Sequence, residues 1–364
     1  MYSLTIIITT SPTPSAPSTE LLSSVIQSFH DHCPDLLSCQ VIVVFDTYDH
    51  ISPKARLKKG YLTPQGAKDY DQYKSNVKEL VLRQYNSNEN HLSNQSSNQA
   101  EYGSPGCAEN FVSFSASRTQ DSRIVFIEPA QRLGFSLAVR TALRTVTTPY
   151  VWVHQHDWTL LAQIPIAAIL EVMKASEPDE EVPIKYVCLP SIRMLQYAVQ
   201  SDVQRFPAFK TFTASLKRSF VLQSQAELSV PLTPLFFWHD KPHIVSTTHY
   251  LNRVFPSRLA VRRGEFIEDT VGQKARKQMK EGQWHKWACW LYYPNEGKQL
   301  CLKHLDGRVW RGVEGEMKQK MLWKAQMQIE GTAKSELLQV EMHDAEADLK
   351  GLFASLTSGV ERNC

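Results

Sequence analysis

The stretch VWVHQHDWTLL, Val151 to Leu161, sets two histidines, a glutamine and an aspartate at the end of an apolar run. Imidazoles and a carboxylate at the tip of a buried strand suit a metal, a phosphate or plain core packing, and the residues alone do not choose among them. A second group, RGEFIEDTVGQKARKQMKEG, Arg263 to Gly282, places Glu268 and Asp269 just ahead of Val271, Ala275 and Met279, which are spaced by four. Carboxylates at the head of a helix are stabilised by capping and by the helix dipole whatever else they do. A third, KHLDGR from Lys303 to Arg308, sets His304 beside an Asp-Gly pair that reads as a turn. On a helix, Lys274, Arg276, Lys277 and Lys280 would form a solvated face.

The elements that must hold these groups alternate strand and helix. Ser3 to Thr9 is a short buried strand, and three prolines follow within residues 10–17. Leu22, Val25, Ile26 and Phe29 then share one helical face, and Gln40 to Phe45 (QVIVVF) is a second buried strand ending on Asp46. Strand, helix, strand predicts a parallel pair with a right-handed crossover and a ligand crevice at the carboxyl ends of the strands. Thr9, Thr10, Ser11 and Asp46 would line that rim. Arg123 to Ile127 is a third strand, Val139, Ala142, Leu143 and Val146 mark a helix carrying Arg140 and Arg144, and Tyr150 to Val153 is a fourth strand. Residues from about 85 to 118, rich in Asn, Ser and Gln, read as a flexible inserted loop.

Composition narrows the chemistry. The chain has 364 residues, 42% of them hydrophobic, and a formal net charge of +3. That supports a sizeable core and argues against an electrostatic nucleic-acid partner. Apolar runs are too short for a membrane span, and seven cysteines without a CxxC pair fit reduced thiols, so a cytoplasmic location is expected. Residues 1–312 read as one domain with the insertion inside it, and 313–364 as a polar helical extension ending in Glu336, Glu341, Asp344, Glu346 and Asp348.

RLGFSLAVRTALRTVTTPYVWVHQHDW, with IIITTSP and VVFDTYD, resembles the central segment and first two strands of GT-A fold glycosyltransferases, especially family-2-like enzymes. The resemblance implies an α/β fold with a mixed, mostly parallel sheet flanked by helices, binding a nucleotide-diphospho-sugar. Thr9, Thr10, Ser11, Asp46, Arg140 and Gln155 would contact that donor, Asp46 at the base. The Asp-x-Asp motif of that family appears here as His154 and His156, with Asp157 one residue beyond. Asp157, helped by His156, would hold a divalent metal, Mn²⁺ or Mg²⁺, and His304 resembles the C-terminal histidine that some GT-A enzymes bring back to it. Imidazole shifts metal preference toward softer ions. The Glu-Asp pair resembles the motif of inverting enzymes, which implies Asp269 as the base and Glu268 as its neighbour. LFFWHDKPH would offer Trp238, His239 and Asp240 to a glycan, lipid or small-molecule acceptor, since aromatic faces stack on sugars. The same residues also read as an aromatic core. A nucleotidyltransferase would need a glycine-rich phosphate loop near residue 10, and TTSPTPSAPS has no glycine. A binding protein of the same fold without catalysis is the other alternative.

Overall fold

A computed structural model describes residues 3–85, 92–107, 109–221 and 229–327. The chain divides after Trp310 into two compact units. In the second, residues 313–327 are helical; its acidic end lies outside the described residues.

The first unit is built on an eleven-stranded sheet. Its centre follows from sequence runs that are apolar at every position, because a strand covered on both faces has no polar side. β1 (Leu4–Thr10) and β2 (Gln40–Phe45) pair in parallel, β1 being buried throughout. α1 (Glu20–His32) makes the crossover and buries Leu22, Val25, Ile26 and Phe29. After the short strands β3 (His50–Ile51) and β4 (Tyr61–Leu62) and the helix α2 (Pro64–Gln84) come β5 (Ser93–Glu101), β6 (Phe111–Arg118) and β7 (Ile124–Pro129). α3 (Phe135–Leu143) is buried at every residue and leads into β8 (Tyr150–Gln155). β9 (Trp158–Leu160) and α4 (Ile166–Ala175) precede β10 (Tyr186–Cys188), β11 (Arg218–Val221), β12 (Ser229–Pro234), β13 (His243–Ser246), β14 (Cys289–Tyr292) and β15 (Leu302–His304).

The spatial order is β11-β12-β14-β10-β13-β8-β1-β2-β7-β6-β5. Parallel pairing holds across β8, β1, β2 and β7 and between β10 and β14. Elsewhere the strands are antiparallel, so the sheet is mixed, as expected, with a run of parallel pairs at its centre. The stretch expected as an inserted loop carries β5 and β6 instead. Its Ser, Asn and Gln residues suit an edge ladder, where one side faces water and aliphatic content is not required. β1 is the switch point, with β2 on one side and β8 on the other, and the crevice beyond it is where ligands bind in open α/β sheets.

One close approach shapes the rim. Gly134 has φ 79° and ψ 164°, a region that only glycine enters without strain, and a Cβ there would lie 2.4 Å from the Gly264 Cα. The Gly134→Ala protein is therefore expected to lose at least about 3 kcal/mol of stability, read as a lowered denaturant midpoint, because both backbones must separate. An unchanged midpoint would contradict this packing.

Candidate active site

At the carboxyl ends of β1, β2 and β8 lies a cavity of about 940 Å³. Thr9, Thr10, Ser11, Asp46, Gln155, His156, Asp157, Asp240, Glu268 and His304 all line it, although they come from six separate segments of the chain.

Asp46 ends β2 and accepts hydrogen bonds from Leu133 N–H (2.6 Å) and Gly134 N–H (3.1 Å), one on each carboxylate oxygen. Burial pushes its carboxyl up to about 6, against those donors and Arg132. The residue thus ties β2 to the start of α3. Tyr48, Leu57, Tyr61 and Leu62 line the same end and give it aromatic and aliphatic walls.

β8 delivers the next group. His154 stays in the core: its Nδ1 accepts from Trp152 Nε1 (3.0 Å), its Nε2 donates to Trp158 O (2.6 Å), and burial lowers it to about 4. A turn after Gln155 brings His156 and Asp157 into the cavity together. Ser11 N–H donates to His156 Nδ1 (3.2 Å), and Thr10 Oγ1 lies 2.7 Å from the same nitrogen. An Nδ1 that accepts leaves the ring proton on Nε2, and a protonated nitrogen has no lone pair for a metal. His156 therefore braces β1 against the turn through Nδ1.

Asp157 and His304 meet as the resemblance implied. His304 Nε2 lies 3.1 Å from Asp157 Oδ2, and its Nδ1 lies 2.7 Å from Asp306 Oδ1. Burial alone would raise Asp157, but His304, His156 and the Gly307 N–H (3.2 Å) outweigh it and hold the carboxyl down at about 2. Burial would lower His304, yet Asp157 and Asp306 hold it above the ordinary histidine range. Asp157 Oδ1 is buried without a hydrogen-bond partner. Asp157 Oδ1 offers a divalent cation one free carboxylate oxygen, and His304, oriented through Nδ1 by Asp306, would join it once its Nε2 gave up the proton it shares with Asp157 Oδ2. Among the described residues no three His, Cys, Asp or Glu side chains form a metal-binding group, so the pair would hold a cation only with ligands supplied from elsewhere.

Gly307 seats this pair. A Cβ there would lie 3.0 Å from Asp157 Cβ, from Asp157 Oδ2 and from His156 Nε2. The Gly307→Ala protein should lose about tenfold in nucleotide-diphosphate affinity by calorimetry, because the added methyl is seated only by shifting Asp157 and His156. Unaltered affinity would show that the pair does not touch the ligand.

The remaining carboxylates form a reciprocal pair. Glu268 N–H donates to Asp240 Oδ2 (3.2 Å) and Asp240 N–H to Glu268 Oε2 (3.3 Å). Glu268 opens a π-helical turn, Glu268–Gly272, a geometry frequent at functional sites. Burial would raise its carboxyl, but His239, 3.6 Å away, the Asp240 N–H and Lys241 hold it below the usual glutamate range. Burial and the neighbouring Glu268 push Asp240 well above its ordinary value, and its Oδ1 is unpartnered. Gln155 Nε2 donates to Asp240 O (2.8 Å), linking this pair to β8.

Four expected residues lie elsewhere. Asp269 is exposed beyond the rim, because the π-helical turn aims only Glu268 inward. Arg140 is buried in α3, where its Nη1 donates to Ser257 O (3.5 Å) and burial lowers it to about 10. Trp238 is core, 4.2 Å from the Tyr186 ring and 5.1 Å from the Tyr250 ring. His239 supports Glu268 and does not line the cavity. Conversely, Arg132, Arg193, Lys241, Lys303 and Arg308 line the cavity without having been singled out; Arg308 lies over the Phe266 ring, 5.1 Å from its centroid. Only Lys303 and Arg308 carried a signal, as the ends of KHLDGR.

No protein-family model matches the chain, and no curated protein does. Among solved structures it is similar to a mannosyltransferase, PcManGT from Pyrobaculum calidifontis, in complex with GDP-Man and Mn²⁺, at 12% identity and a TM-score of 0.37, over 81% of this chain and 58% of that one. It is also similar to S. aureus TarS, at 9% identity and a TM-score of 0.36, over 82% of this chain and 36% of that one. Likeness this distant identifies neither a donor nor a mechanism. No described helix is long and apolar enough to cross a membrane.

Proposed function

We propose that the first unit is a GT-A-like glycosyltransferase domain that moves a sugar from a nucleotide-diphospho-sugar to an acceptor hydroxyl with inversion. The observation that carries this reading is an ionised Glu268 and the Asp157–His304 pair on one cavity at the switch point of the sheet. The nucleoside lies against Tyr48, Leu57 and Tyr61 beside Asp46. The diphosphate reaches Asp157, with Arg308 and His304 beside it, and the sugar lies between there and Glu268.

Glu268 takes the proton of the acceptor hydroxyl as that oxygen attacks the anomeric carbon. The bond from that carbon to the phosphate oxygen breaks, and its electron pair leaves with the nucleoside diphosphate. Asp157 and His304 would hold a divalent cation, which when bound stabilises charge on the leaving diphosphate. Arg308 adds a fixed positive group. Asp240 positions Glu268 by capping its N–H, and His239 holds the carboxylate in its ionised form.

The reading is tested by incubating the protein with a panel of radiolabelled nucleotide-diphospho-sugars and Mn²⁺, with water as the default acceptor. Release of nucleoside diphosphate from one donor is expected. Tight binding of a donor without any turnover, with or without added acceptor sugars, would leave a binding protein of the same fold.

A further inference from the structure

The acceptor end of the cavity, on the transferase reading just given, is the end that holds Glu268 and Asp240. Three segments meet at the cavity wall. Leu189 N–H donates to Pro242 O (3.2 Å), and Cys301 and Leu302 N–H both donate to Pro190 O (3.1 Å). Ser191 and Leu302 also form a β-bridge. Each segment brings one cation to the cavity: Arg193 from the turn after β10, Lys241 from the connection between β12 and β13, and Lys303 from β15.

Among the described residues none of the three is in an ion pair. The acidic groups at this end are Glu268 and Asp240. Glu268 is shared among His239, the Asp240 N–H and Lys241, and burial favours the neutral form of Asp240, so one carboxylate faces the three cations. Three cations on adjoining segments repel one another, and that cost is recovered when an anion binds. Arg193 adds a planar fork that matches a carboxylate or phosphate with two hydrogen bonds.

We propose that the acceptor carries an anionic group, a phosphate or a carboxylate, held by Arg193, Lys241 and Lys303 while its hydroxyl lies at Glu268. The transferred sugar is then added to an anionic molecule or polymer rather than to a neutral glycan.

The test is a calorimetric titration of the full chain with glycerol 3-phosphate, glycerate and glycerol, with UDP or GDP saturating and again without nucleotide. The two anions separate phosphate from carboxylate recognition, and glycerol is the neutral control. At least one anion should bind the nucleotide-loaded protein and glycerol should not. The triple variant Arg193→Gln, Lys241→Gln, Lys303→Gln should lose at least about tenfold in anion affinity and keep its nucleotide affinity. Equal anion affinity in the variant, or no anion binding to the wild type, overturns the proposal. Loss of nucleotide affinity in the variant also overturns it, by assigning the cations to the donor. Anion binding that the variant loses, in a protein that binds no nucleotide, would keep the anion site and remove the transferase reading instead.

Discussion

The Glu268→Gln protein is expected to bind a nucleotide diphosphate as tightly as the wild type and to transfer sugar about a thousandfold more slowly. The amide keeps the shape and the contact with the Asp240 N–H but cannot take a proton. The loss should therefore fall on kcat and leave KM for the donor in place. Asp269→Asn is the matched control: Asp269 is exposed outside the cavity, and its replacement should leave transfer unchanged. The pH profile gives an independent reading. Because Glu268 is held below the usual glutamate range, the acidic limb of kcat/KM should lie below pH about 4.5, with activity falling only as the carboxylate takes up a proton there. Inactivity of the Asp269→Asn protein beside an active Glu268→Gln protein would reverse the assignment.

The second large effect is expected at Asp157. Asp157→Asn should abolish metal-dependent nucleotide binding, a loss of at least about a hundredfold, because a neutral amide is a poor ligand for a hard divalent ion. Asp306→Asn should act more weakly, by about tenfold, since Asp306 only orients His304. The same carboxylate bears on stability. Its folded pKa of about 2 lies below the unfolded value, so its contribution is present above pH about 4 and is lost as pH falls toward 2. That contribution is on the order of 2 kcal/mol. Stability curves of the wild type and the Asp157→Asn protein should therefore converge on acidification. Parallel curves would show that the carboxylate is not favourably paired.

Much of the frame was legible in the sequence, for a physical reason. LTIIITT and QVIVVF are apolar without alternation, which only strands covered on both faces can be, and their ends then define a rim independent of detail. Thr9, Thr10, Ser11 and Asp46 reached the cavity on that logic. Side-chain direction was not legible. Asp269 and Glu268 differ by one residue, and a π-helical turn decides which faces inward. Trp238 is aromatic and beside Asp240, yet the packing of Tyr186 and Tyr250 claims it. Arg140 sits on a helix that proved buried all round, so no face of it was solvated. The strands of residues 93–118 escaped because polar edge strands lack the apolar signal by which strands are read. Arg193 and Lys241 could not be anticipated, since the three segments meet only through backbone hydrogen bonds made in the folded sheet.

The central claim is that this cavity binds a nucleotide diphosphate against Asp157 and His304. Calorimetric titration of the wild type and the Asp157→Asn protein with UDP and GDP, with and without Mn²⁺, tests it most directly. Binding of one nucleotide that requires Mn²⁺ and disappears in the Asp157→Asn protein is the predicted result. Failure of both nucleotides to bind the wild type, with Mn²⁺ present, would contradict it.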